Sequence, residues 1–128
     1  MDASTTYSQQ AATTASPAQL VLMLYDAALA HTEAGRLAVV SEPRQLEVAH
    51  RAIGRVQAIV RELQVTLDHE RGGAVADNLA DLYGYCQDLL LQANLRKDAA
   101  PLEEVVTVLT PLRDAWDQAC VRTLVGAA

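Results

Sequence analysis

The sequence predicts an all-α fold, an antiparallel up-down four-helix bundle preceded by a polar arm. Three observations predict it. Half of the 128 residues are apolar, mostly Ala, Leu and Val with no Phe and a single Trp, and Ala and Leu favour helices. The six glycines and four prolines gather where segments end. Along most of the chain, apolar residues recur at alternating spacings of three and four, the helical period, and no alternating β-pattern competes. The length suits one domain with one core, so residues 1–15 read as a flexible arm and 16–125 as the bundle domain.

The arm is rich in Ala, Thr, Ser and Gln, and Tyr7 is its only large aromatic side chain. Its end is marked by Ser16-Pro17-Ala18-Gln19, an N-cap serine, proline at the first helical position and glutamine at the third. The first helix is predicted from there to about Val40, where Ser41, Glu42 and Pro43 break it. The second helix starts near Pro43 or Arg44 and carries the seam Leu46, Ala49, Ile53, Val56, Val60, Leu63 and Leu67. It is expected to continue until Gly72-Gly73, where glycine accepts the left-handed C-terminal conformation. The third helix has the seam Val75, Leu79, Leu82, Cys86, Leu89 and Ala93, and Asn94 to Ala100 reads as a connection. Pro101 opens the fourth helix, with Glu103 and Glu104 in its first turn and Leu102, Val105, Leu109, Leu112, Trp116 and Ala119 as its seam. Four rods of about twenty residues joined by short loops lie antiparallel to their neighbours.

Charge and cysteines exclude several classes of protein. A net charge of -6 with scattered cations argues against nucleic acid as a partner, because phosphate binding needs a basic face. No stretch of about eighteen uncharged apolar residues exists, so no membrane insertion is expected. The polar start lacks the charged and apolar regions of a secretory signal, which makes a cytoplasmic location the expectation. Cys86 and Cys120 are far apart and read as two buried thiols.

The seams leave apolar residues over. Leu20, Val21, Leu22, Met23, Leu24 and Tyr25 follow one another without a break, so apolar groups point all round that stretch. A second row lies at Val48, Ala52 and Ile59, and Leu90, Leu91, Leu95, Val106 and Val108 add to it. A helix apolar on most sides needs cover on most sides. Padding of the core's edge, the arm, a second copy of the chain and the helices of a partner are all able to supply it.

Three stretches stand in register along the chain: Thr14-Ala15-Ser16-Pro17 followed by Leu20 and Met23-Leu24-Tyr25-Asp26; Gly72-Gly73 with Asn78-Leu79 and Leu82-Tyr83; and Leu90-Leu91-Gln92-Ala93-Asn94-Leu95 with Asp98, Leu102-Glu103-Glu104-Val105 and Ala115-Trp116. Together they resemble the flagellar secretion chaperone family, FliS. The resemblance implies a helical bundle without enzymatic activity or cofactor. It implies a chaperone that binds the disordered C-terminal segment of flagellin, blocks premature polymerisation in the cytosol and delivers the subunit to a type III export gate protein. Tyr7 matches the arm tyrosine that takes part in gate contact in the family. Leu20, Leu24, Tyr25, Leu82, Tyr83, Leu90, Leu91, Asn94 and Leu95 fall on its motifs and are the candidate partner-binding residues, whether by touching flagellin or by supporting the fold. Ala27 stands where the family usually has glycine, and its methyl narrows a close helix contact.

Two other readings compete. Ala49-His50 with Gly54 one turn later resembles the phosphoryl-accepting helix of histidine phosphotransfer bundles, but Ile53 stands where those domains usually carry lysine. A structural homodimer would place the surplus rows against themselves. Glu47 and His50 have the ExxH spacing of di-iron bundles, which need two such pairs, and only one occurs; no metal site is expected. Gly72-Gly73 lacks the lysine and further glycines of a phosphate loop, and no catalytic set can be assembled.

Overall fold

The computed structural model describes residues 16–127, with side chains described through Val121. The arm expected over residues 1–15, with Tyr7, lies outside the described residues. Four helices follow in order: α1 (Pro17–Val40), α2 (Leu46–Val65), α3 (His69–Arg96) and α4 (Ala99–Ala127). α1 packs on α2 and α4, and α3 packs on those same two helices, which closes a four-membered ring. With connections this short each helix runs antiparallel to the next, so the predicted up-down bundle is the fold.

α1 begins where the sequence marks it. Ser16 Oγ accepts from the Gln19 N–H at 3.2 Å, and Gln19 Oε1 accepts from the Ser16 N–H at 2.8 Å, which satisfies two amides that lack helical partners. The inward face of α1 is built on Tyr25, Ala28, Thr32, Gly35 and Val39, at spacings of three and four. These residues are mostly small, so α2 approaches closely at this face. The buried Thr32 hydroxyl is satisfied by donating to the Ala28 carbonyl at 2.7 Å.

The other boundaries shift from those predicted. α2 starts at Leu46, two or three residues later than expected, and ends at Val65 rather than continuing to the glycine pair. The Thr66 hydroxyl donates to the Glu62 carbonyl at 2.9 Å, closing the last turn, and Asp68 then caps α3 by accepting from the Arg71 N–H at 3.1 Å. Capping by short polar side chains thus ends one helix and starts the next ahead of the glycines. Gly73 does adopt a left-handed φ of 51°, but as a break one turn inside α3. Gly72 is needed for a separate reason, since a Cβ there would lie 2.7 Å from the Ala76 Cβ. α3 runs on to Arg96, so the connection to α4 is only Lys97 and Asp98. Lys97 takes the left-handed conformation that ends the helix, and α4 begins at Ala99. Glu103 and Glu104 therefore stand beyond the first turn of α4.

The core seam of α2 is as read at Ala49, Ile53, Val56, Val60 and Leu63, whereas Leu46 is exposed and Leu67 half-buried. The α3 seam is shifted by one residue near its start: Ala76 and Tyr83 face inward, while Val75 and Leu82 face out. The glycine break resets the helix phase, and the tyrosine rather than its leucine neighbour finds a polar partner inside. Leu102, Val105 and Leu109 of α4 are fully buried, and Leu112 and Trp116 pack on the core from its edge. Cys86 and Cys120 are buried free thiols, as the sequence suggests.

Candidate functional site

The two ends of the bundle differ. Where the α1–α2 and α3–α4 connections meet, polar side chains lace the chain together. The Arg44 guanidinium donates to the Val39 carbonyl at 3.1 Å and to the Lys97 carbonyl. His50 Nδ1 lies 2.9 Å from Asn94 Oδ1, and Lys97 Nζ donates to the same oxygen.

The opposite end carries an open cleft of about 400 Å³. Val21 of α1, Leu63 and Leu67 of α2, Val75 and Leu79 of α3 and Trp116 of α4 form its apolar walls. The capping group of α3, Asp68 with Arg71, forms a polar rim. α2 stops at Val65, and the turn through Thr66, Leu67 and Asp68 into α3 borders the cleft. Beneath it the Tyr25 and Tyr83 hydroxyls hydrogen-bond to each other, their rings tilted at 46° with centroids 6.4 Å apart. Burial and then the bond to Tyr83 hold the Tyr25 phenol far above the ordinary tyrosine range, partly offset by the Trp116 side chain beside it. Burial raises Tyr83 too, and pushes the neighbouring Cys86 thiol up to about 11, with the Glu104 charge adding to the effect.

A second apolar feature lies on the outside of α3. Leu91 and Leu95, four residues apart, are 52% and 76% exposed. Leu82 and Tyr85 nearer the cleft, and Leu20 and Met23 on α1, are also exposed. Of the surplus rows, Leu20, Met23, Val48, Leu91 and Leu95 are left open, whereas Tyr25, Ala52 and Leu90 are buried and Val21, Leu24, Ile59 and Val108 pack against the core.

The candidate residues fall into distinct places. Tyr25, Tyr83 and Leu90 are buried, and of the described candidates only Tyr83 lines the cleft. Leu24 is half-buried against the core, whereas Leu20, Leu82, Leu91 and Leu95 are open to solvent. Asn94 is half-buried at the laced end, engaged by His50 and Lys97. Ala27 is half-buried on α1. Sequence reasoning missed the cleft walls at Leu63, Leu67, Leu79 and Trp116, because a seam residue in mid-bundle and one at an open end share the same spacing. The early capping signal Thr66–Asp68 was the available clue.

The molecule is thus a helical bundle with an open apolar cleft at one end. Residues 1–123 match the family described as Flagellar protein FliS, and the chain belongs to this family. It is 39% identical over 111 residues to the flagellar secretion chaperone FliS of Salmonella typhimurium, covering 86% of this chain and 81% of that one. It is 34% identical over 115 residues to the flagellar secretion chaperone FliS of Bacillus subtilis, covering 90% and 84%. The Campylobacter jejuni flagellar secretion chaperone FliS is 37% identical over 110 residues, covering 86% and 84%. This is a family of chaperones and not of enzymes, which sets aside the phosphotransfer reading of His50. Among the described residues, no helix is long and apolar enough to cross a membrane.

Proposed function

We propose that the chain is a cytosolic export chaperone that binds the C-terminal segment of flagellin, prevents its premature polymerisation and delivers it to the flagellar type III export gate. The observation that carries this reading is the open apolar cleft bounded by Val21, Leu67, Leu79 and Trp116. A helix of the client places apolar side chains in the cleft, and a further helix covers Leu91 and Leu95 on α3. The buried Tyr25–Tyr83 pair keeps the cleft floor rigid, so the ordering cost falls on the client. Affinity then comes from broad apolar burial, with few strong contacts. The arm with Tyr7 takes the gate contact, as the family likeness implies.

Calorimetry of the full chain with the flagellin C-terminal segment tests this. A one-to-one complex with a negative heat-capacity change is expected, weakened by Val75→Asp in the cleft. Absence of a complex, with the chain instead a tight dimer, would favour the structural homodimer.

A further inference from the structure

Ten cations face sixteen carboxylates in this chain, and five of the nine whose side chains are described are engaged. Arg36 pairs with Glu33, Arg71 with Asp68, and Arg113 with Asp26, Asp114 and Asp117. Arg44 and Lys97 donate to backbone carbonyls. Among the described residues Arg51, Arg55, Arg61 and Arg96 have no hydrogen-bond or ion-pair partner. Arg51 and Arg55 stand one turn apart on the same exposed face of α2, an arrangement that disfavours a helix by like-charge repulsion. Glu47 sits one turn before Arg51, at pairing distance along the helix, yet makes no bond to it.

Those two guanidinium groups border a groove of about 300 Å³ between α1 and α2. Its other lining residues are His31 and Ala34 of α1 and Val48 and Ala52 of α2. Val48 is 42% exposed, so a large apolar side chain and two unpaired cations share one concave strip. No lining residue is common to this groove and the cleft at the end of the bundle, so both can be filled together.

We propose that the α1–α2 groove docks an acidic, amphipathic helix of a second protein while the cleft holds the client. Its carboxylates meet Arg51 and Arg55, and its apolar face covers Val48 and the alanine floor. The charge of the site selects this occupant. The chain's own carboxylates leave the arginines unpaired, and a second copy would bring another net -6 body against the first. A phosphate backbone would need a wider basic footprint than two arginines beside a valine.

The test uses the full chain and a synthetic helical peptide of about eighteen residues, with glutamates one turn apart beside a leucine face. Its twin carries lysine in place of each glutamate. Fluorescence anisotropy is read at about 50 and 500 mM salt. The acidic peptide is expected to bind and its twin not to bind. Affinity should fall at least about tenfold at high salt and in Arg51→Glu/Arg55→Glu, and severalfold in Val48→Ser. Circular dichroism checks that the variants fold, and Arg51→Gln/Arg55→Gln replaces the reversed pair if it does not. Equal binding to the arginine variants overturns the proposal. So does displacement of the peptide by the flagellin segment, which would put it in the cleft. A dimer in sedimentation that the arginine variants dissolve would mean that a second copy is the occupant, and it also overturns the proposal.

Discussion

The hydroxyls of Tyr25 and Tyr83, 58 residues apart in sequence, are hydrogen-bonded to each other inside the bundle and join α1 to α3 across its centre. α1 and α3 are diagonal in the ring, so this bond ties helices that otherwise meet mainly through their neighbours. Tyr83→Phe leaves the Tyr25 hydroxyl buried without this partner and should destabilise by about 1–3 kcal/mol. Tyr25→Phe/Tyr83→Phe removes both hydroxyls and should recover much of that loss. Urea unfolding of the two single variants and the double closes the cycle, and additive losses would mean that the pair carries no coupling.

Alkaline pH should loosen the same region. The Cys86 thiol rises from near 9 to about 11 in the folded protein because burial disfavours the thiolate. Below pH 9 both folded and unfolded chains hold this proton, and its contribution is fully present. Above pH 9 the unfolded chain releases it first, binds fewer protons, and stability falls as pH rises towards 11, by about 2–3 kcal/mol in total. The raised Tyr25 and Tyr83 phenols act in the same direction once pH passes the ordinary tyrosine range. Denaturant titrations from about pH 7.5 to 11 measure the slope, and Cys86→Ala should flatten its first part.

Two glycines should respond oppositely to alanine. A Cβ at Gly35 would sit 3.5 Å from the Ala52 Cβ and the Ile53 Cγ1 and 3.6 Å from the Leu102 Cδ1, ordinary contacts. Gly35→Ala should therefore stabilise α1 by roughly 0.5–1 kcal/mol. Gly73 has open space around it but a φ of 51°, so Gly73→Ala should destabilise by about 1 kcal/mol through backbone strain. Thermal unfolding of both variants checks the signs.

The open rows should separate binding from folding. Leu95→Ser changes a side chain that is 76% exposed, so stability should move by no more than about 0.5 kcal/mol. Affinity for the flagellin segment should fall severalfold by calorimetry. Unchanged affinity would remove the outer face of α3 from the binding surface.

The helix count, the capping box at Ser16 and the α2 seam were legible because each rests on local chemistry or a strict period. The α3 register was not. Leu82 and Tyr83 are adjacent and both fit an inward position, and only the partner at Tyr25 decides between them. Likewise Leu91 and Leu95 read as surplus from sequence and are open in the fold, whereas Leu90 beside them is sealed in the core. The cleft lies beside the early end of α2, where Thr66 and Asp68 act before the more conspicuous glycines.

The laced end and the open end have a mechanical consequence. Arg44, His50, Asn94 and Lys97 cross-brace the two tight connections, while the opposite tip is held by local capping bonds at Ser16, Thr66 and Asp68 and leaves an apolar cleft open. Thermal breathing should therefore rise from one tip of the rod to the other, with amide protons near Asn94 exchanging slowest and those around Gly72 fastest. Under the proposed function, such a gradient would let a client enter and leave through the loose tip while the braced tip preserves the register of all four helices.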